Sequence, residues 1–173
     1  MNKTFRMIYL SLLIAQSLAL FMFEGMIPMP VLAPGAKLGL ANLITVIALY
    51  TLPRTRDVLI VLCIRVLLAT MFGGGPTIFI YSISGALLSF AAMCILKRAG
   101  CFSIFGVSAA GGFFHNVGQL ITATFVIKSS GLWLYLPVLS IAGIFTGLLI
   151  GWISYFTIGK LQHLPYFQHL RQN

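Results

Sequence analysis

Only two of the 173 residues are acidic, Glu24 and Asp57, and this scarcity of charge constrains the chain more than any other feature. The residues are 60% hydrophobic and 8% charged, and the mean hydropathy is +1.03. Soluble domains keep roughly a quarter of their residues charged. Because so apolar a chain cannot cover itself with polar groups, we predict an all-α protein in the lipid bilayer, and we expect no nucleic-acid partner.

Six apolar runs predict six transmembrane helices in one integral membrane domain, 1–173. The runs cover about 7–23, 38–52, 58–72, 77–96, 103–127 and 132–158. A helix needs roughly 20 residues to cross the hydrocarbon core, so the second and third runs, of about 15 residues, are short. Short spans often border a substrate cavity, because irregular backbone is tolerated only where protein or water covers it. Boundaries that differ by a few residues would explain them equally well.

The basic residues lie mostly between the apolar runs and predict the orientation. With a cytoplasmic N-terminus, eight of the eleven Lys and Arg face the cytoplasm, Lys37 and Lys128 face outside, and Arg65 lies within a span. Excess positive charge is typical of the cytoplasmic side. We therefore predict a multi-pass protein of the cell membrane with both termini in the cytoplasm.

The first apolar run also has features of a secretory signal, because Lys3 and Arg6 precede it. No convincing cleavage site follows near Glu24, so we interpret the run as an uncleaved first span. The three cysteines lack metal-site spacing, and the sequence contains no phosphate-binding loop, haem-attachment motif or DDxxD-type acidic motif. We therefore predict no metal site, no cofactor and no catalytic residue.

Arg65 is the most informative polar residue, because it lies near the middle of the third run. Insertion of an arginine at that depth costs about 2.5–3.5 kcal/mol, so its guanidinium needs a partner, water or a ligand. Asp57 belongs to the cytoplasmic end of a span and Glu24 to the outer end. We therefore expect Arg65 to meet an anionic or dipolar ligand group, or else the backbone carbonyls of a broken helix.

The fifth run carries His115, Asn116 and Gln119, whose spacings of three and four residues predict one shared helical face. Three such groups on an apolar helix either line a cavity or bond to neighbouring helices. We expect them to converge with Arg65 near the middle of the membrane.

The second run begins with Pro34-Gly35-Ala36-Lys37-Leu38-Gly39-Leu40-Ala41-Asn42. N–H groups at a helix start carry partial positive charge and bind anions, and Lys37 would add to it. An interfacial lysine that extends into water is the alternative. Asn42 follows a little over one turn deeper, and we expect Lys37 and Asn42 near the outer mouth of the pocket.

Small residues at intervals of four predict close contacts between helices. Gly143, Gly147 and Gly151 form such a series in the last run, and Ala15 and Ala19 form one in the first run. The two alanines face either a neighbouring helix of this chain or a partner subunit.

The segment 34–42, the mid-span Arg65 and the string His115-Asn116-Val117-Gly118-Gln119 together resemble the Gx transporter family, also called heptaprenyl diphosphate synthase component I. The similarity extends over about residues 7–160. Ala36 departs from the family pattern, which has a branched aliphatic residue there.

The resemblance implies a six-helix membrane protein similar to the substrate-binding S-components of energy-coupling factor (ECF) transporters. In those transporters, alanines on the first helix contact the transmembrane coupling subunit, and the resemblance gives that role to Ala15 and Ala19. It also implies ATPase subunits as further partners and a small-molecule or lipid-like ligand.

Three functions therefore stand open. In the first, the chain is an S-component-like subunit that binds a small or amphipathic ligand and is energised by separate ATPase subunits. Alternatively, it is a membrane subunit of flavin- or quinone-linked extracellular electron transfer, or an accessory component of heptaprenyl diphosphate or quinone synthesis. Prenyl transfer by the chain itself is disfavoured, because it needs paired aspartates to hold Mg²⁺, and the two acidic residues lie 33 positions apart.

Overall fold

The computed structural model describes residues 3–26 and 39–163, and this part of the chain folds into helices without a strand. The α-helices are α1 (Lys3–Met26), α2 (Ala41–Thr51), α3 (Thr55–Ala69), α4 (Gly75–Ala99), α5 (Ile104–Ile127) and α6 (Leu136–Gln162). A π-helical turn (Thr70–Gly74) joins α3 to α4, and a 3₁₀-helix (Ser130–Tyr135) precedes α6. Each α-helix overlaps one of the predicted apolar runs.

Within residues 3–26 and 39–163, three helical segments are long and apolar enough to cross a membrane, namely Lys3–Met26, Gly75–Ala99 and Ser130–Leu161. α5 has 24 residues, as many as α1, but His115, Asn116 and Gln119 interrupt its apolar sequence. The 11 residues of α2 rise about 16 Å, roughly half of the hydrocarbon thickness. Six spans therefore stay a prediction.

α2 can be short because other helices surround it. Eight of its 11 residues are buried, and it contacts α1, α3, α4, α5 and α6. The hydrophobic core extends from this helix to the inner faces of its neighbours. Among its fully buried side chains are Val46, Leu62, Met93 and Val107.

Glycines allow α5 to pack closely against both α4 and α6. A Cβ atom added to Gly112 would lie 2.0 Å from the carbonyl oxygen of Gly143 on α6. A Cβ atom added to Gly118 would lie 2.8 Å from the Cα of Gly85 on α4. The close packing predicted for the glycine series of α6 is confirmed at all three positions, Gly143, Gly147 and Gly151.

The two acidic residues mark opposite ends of the bundle. Asp57 at the start of α3 forms an ion pair with Arg6 near the start of α1. Glu24, in the last turn of α1, accepts hydrogen bonds from the backbone N–H groups of Gly39 (2.6 Å) and Leu40 (3.1 Å). Arg6 and Glu24 are 18 residues apart on one helix, which is about 27 Å along its axis. We call these the Arg6 end and the Glu24 end of the bundle.

Candidate functional site

A small cavity lies among α1, α2, α3, α4 and α5 toward the Glu24 end, and we call it the polar pocket. Its volume is about 20 Å³, which is room for about one water molecule. The lining side chains therefore leave almost no free volume in the pocket. Its lining consists of Phe21, Glu24, Gly39, Ala41, Asn42, Arg65, Ser82, His115 and Gln119.

Arg65 reaches the pocket because it lies on the buried face of α3. The residues four positions before and after it, Val61 and Ala69, are buried as well, so this helix face is turned toward the protein. Arg65 is 6% exposed. Within the described residues its Nε has no hydrogen-bond partner. Its guanidinium is thus held deep in the bundle with capacity to bind a further group.

Glu24 lines the same pocket as Arg65, and its carboxylate attracts the guanidinium electrostatically. Glu24 does lie at the end of its helix, but the inference from the sequence that Arg65 therefore has few acidic partners and lacks one here was wrong. Glu24 is 5% exposed, and the last turn of α1 places it in the wall of the same pocket. Arg65 therefore has a protein counter-charge as well as capacity for a ligand.

Glu24 also changes the interpretation of the start of α2. The N–H groups of Gly39 and Leu40, expected to help bind an anionic ligand, instead donate to the Glu24 carboxylate. Lys37 lies outside the described residues. The carboxylate thus joins the end of α1 to the start of α2 at the rim of the pocket.

Asn42 lies in the first turn of α2 and lines the pocket. Its Nδ2 donates a hydrogen bond to Oγ of Ser89 on α4 (3.2 Å), and both residues are buried. This bond fixes the orientation of the amide and connects the pocket wall to α4.

α5 contributes His115 and Gln119, which are one helical turn apart. Gly85 on α4 lets this part of α5 approach closely: a Cβ there would lie 2.8 Å from the His115 carbonyl oxygen and 2.9 Å from Gln119 Cγ. Asn116 differs from the prediction. Its Nδ2 donates to the carbonyl oxygen of Leu139 on α6 (2.8 Å), because one residue of helix rotation turns it about 100° away from His115.

The two interpretations of the fifth span therefore each apply to part of it. His115 and Gln119 line a cavity, whereas Asn116 bonds to a neighbouring helix and does not line the pocket. Of the residues predicted to converge, the structure brings together Asn42, Arg65, His115 and Gln119. Phe21, Glu24 and Ser82 were missed; only Glu24 had a sequence signal, as the acidic residue at the end of an apolar run.

Ala15 and Ala19 lie on the outer face of α1 and are exposed. The opposite face of the helix is buried through Leu13 and Ser17. The two alanines thus do not serve packing within the described bundle. Gln16 is exposed beside them.

The chemistry available in the pocket is that of polar recognition. A guanidinium, a carboxylate, two amides and an imidazole surround a closed volume inside apolar helices. Such groups bind a small polar or anionic molecule by hydrogen bonds and charge. Among residues 3–26 and 39–163, no group of three or more His, Cys, Asp or Glu side chains is placed to hold a metal ion.

The sequence matches the family described as heptaprenyl diphosphate synthase component I over residues 13–157. The matched range includes all the residues that line the polar pocket. Comparisons with curated proteins and with solved structures gave no match. Because the match extends over most of the chain, this protein belongs to the heptaprenyl diphosphate synthase component I family.

Proposed function

We propose that this chain is the membrane-embedded, S-component-like subunit of an ECF-type transporter and takes up a small or amphipathic ligand. The observation that carries the proposal is the polar pocket, in which Arg65 and Glu24 are buried together with polar groups of three further helices. Ionisable groups inside a membrane protein are costly, and where they occur they commonly mark a substrate path. Energy for uptake would come from separate ATPase subunits.

Ligand binding in this proposal requires the pocket to widen, because its present volume has room for only about one water molecule. Glu24 closes it by holding the start of α2 and by attracting Arg65. A ligand with a carboxylate or carbonyl group would compete with Glu24 for the guanidinium. Release of Glu24 would then separate α1 from α2 and admit the ligand, with Asn42, His115 and Gln119 as further hydrogen-bonding partners.

The proposed topology has six spans in the cell membrane, both termini in the cytoplasm and the Glu24 end toward the outside. The bias of basic residues supports it. The exposed Ala15 and Ala19 would contact the coupling subunit. Gln16 supports a protein contact on this face, because an exposed amide is better satisfied by a partner helix than by lipid.

A second candidate function is suggested by the family, namely an accessory, non-catalytic component of heptaprenyl diphosphate synthesis. Catalysis would then belong to a partner, since Glu24 and Asp57 lie at opposite ends of the bundle and cannot hold Mg²⁺ together. Asp57 is also already paired with Arg6.

Purification of the tagged full chain from its native membrane under mild detergent tests these alternatives. We expect ATPase and coupling subunits to co-purify with it, and Ala15→Trp to abolish that association, because indole cannot fit where the outer face of α1 meets a partner helix. Ala91→Trp, on the exposed face of α4, is the matched control and should leave the complex intact. A prenyl synthase in the complex instead would support the accessory function, and bound flavin or quinone would support electron transfer.

A further inference from the structure

A second and larger cavity opens at the Arg6 end, and no function considered above uses it. Its volume is about 540 Å³, and residues from the start of α1, the start of α3 and the end of α4 surround it. Four of them are arginines, and we call this cavity the arginine cleft. Its lining consists of Arg6, Arg54, Thr55, Arg56, Asp57, Ile60 and Arg98.

The positive charge of the cleft is largely uncompensated. Asp57 is fully buried and accepts hydrogen bonds from Nε (2.9 Å) and Nη2 of Arg6, so its charge is committed to that arginine. Glu24, the only other acidic side chain in the sequence, lies at the opposite end of α1. No acidic side chain of this chain therefore balances the other three arginines, Arg54, Arg56 and Arg98.

The start of α3 also lines the cleft, and the Asp57 carboxylate in its first turn partly offsets the positive potential there. Arg54 precedes the helix in an extended conformation, and no side chain caps the helix start. The first N–H groups of a helix have no intrahelical acceptor and carry partial positive charge. One guanidinium group can also donate two parallel hydrogen bonds to two oxygens of a phosphate. Three such groups around one cavity favour an anion with several oxygens, such as a phosphate or diphosphate group, over a single carboxylate.

Ile60 connects the cleft with an exposed apolar face of α3. Ile60, Ile64 and Leu67 are 43%, 38% and 52% exposed, and their spacings of four and three residues place them on one helical face. In a membrane this face is in contact with hydrocarbon chains. A molecule with its headgroup in the cleft therefore has an apolar path for its chain directly beside it.

We propose that the arginine cleft binds the phosphate or diphosphate headgroup of a membrane-embedded lipid, whose chain lies along the exposed face of α3. The site is separate from the polar pocket and does not depend on the transport function. The headgroup belongs either to an anionic phospholipid or to an isoprenoid diphosphate, and competition distinguishes these sources.

Binding is measured with the full chain in phosphatidylcholine nanodiscs, titrated with radiolabelled farnesyl diphosphate, after subtraction of the signal from empty nanodiscs. We expect saturable binding that unlabelled farnesol does not displace and that inorganic diphosphate displaces at least about tenfold less well than farnesyl diphosphate, because it lacks the apolar chain. Displacement by phosphatidylglycerol identifies a phospholipid site, and failure of that lipid to compete identifies an isoprenoid diphosphate site.

Variants locate the binding. Replacement of Arg54, Arg56 and Arg98 by Gln should weaken binding at least about tenfold. The same three residues replaced by Lys keep the positive charge that orients the chain in the membrane but lose paired hydrogen bonds, so we expect a loss of about threefold. Lys160→Gln, which removes an exposed charge at the end of α6, is the matched control and should change binding less than about twofold.

Three outcomes would overturn the proposal. Absence of saturable binding would indicate that the cleft holds something else, such as an acidic segment of a partner protein. Equal binding by the native chain and by the triple Gln variant would place the lipid elsewhere. If Lys160→Gln lost as much binding affinity as the triple Gln variant, the effect would come from the general positive charge of the surface and not from the cleft.

Discussion

Removal of the charge of Glu24 tests how the polar pocket is held together. Glu24→Gln preserves the length of the side chain but only one of the two oxygens, and the backbone N–H groups of Gly39 and Leu40 each donate to a different one. The substitution leaves Arg65, which is 6% exposed, without its nearby counter-charge. Loss of the counter-charge of a buried ionic group costs about 3–5 kcal/mol, because it leaves that charge uncompensated. Because Gln keeps an acceptor, we expect the lower value, which corresponds to a fall in Tm of about 6–12 °C for a chain of this length.

Thermal unfolding in detergent measures this change through the reaction of a thiol-specific dye with Cys63 and Cys94, which are partly buried, after the exposed Cys101 is replaced by Ser. Arg65→Met in the same assay completes a double-mutant cycle. The double variant should be more stable than the sum of the single effects predicts, by about 1–3 kcal/mol. An unchanged Tm for Glu24→Gln, or additive effects in the cycle, would refute the coupling of these two residues.

Three further predictions concern packing, partner contact and topology. Gly112→Ala should destabilise the chain by at least about 2 kcal/mol, because the added Cβ would lie 2.0 Å from the Gly143 carbonyl oxygen. Gly159→Ala is the control: no atom lies within 4 Å of the added Cβ, so this variant should be neutral or stabilising in the same thermal assay. Ala19→Trp should prevent co-purification with a coupling subunit but change the Tm of the isolated chain by less than about 2 °C. A larger fall in Tm would indicate that Ala19 packs inside the chain and does not contact a partner. In a cysteine-free background, a cysteine at Ser129 should react with an impermeant thiol reagent from outside the cell and one at Thr55 should not, and the reverse pattern would contradict the proposed orientation.

The positions of the helices could be predicted from the sequence because apolar runs of this length must satisfy their backbone hydrogen bonds internally. α5 covers Ile104–Ile127, against the predicted 103–127, and α4 covers Gly75–Ala99, against 77–96. The shortness of the second run also had structural meaning, because α2 is enclosed by other helices. Whether α2, α3 and α5 cross the membrane depends on neighbours as much as on their own sequence.

The sequence predicted the residues of the pocket only where burial of a polar side chain in an apolar helix carries a high free-energy cost. That cost brought together Asn42, Arg65, His115 and Gln119, which line one cavity. Asn116 could not be assigned, because the location of α6 decides whether a side chain about 100° around α5 meets a cavity or a backbone carbonyl. Glu24 was misplaced because its distance from Arg65 depends on how α1 crosses α3, which the spacing of the two residues along the chain does not determine.

Ligand binding in the polar pocket is tested by mass spectrometry of the small molecules extracted from the purified native chain and from Arg65→Lys. The lysine keeps a positive charge beside Glu24, so the fold is retained, but it cannot form the paired hydrogen bonds of the guanidinium. We expect a molecule with a carboxylate or carbonyl group to accompany the native chain, and its amount to fall at least about tenfold in the variant at equal Tm. The same molecules in equal amounts from both proteins would contradict this expectation.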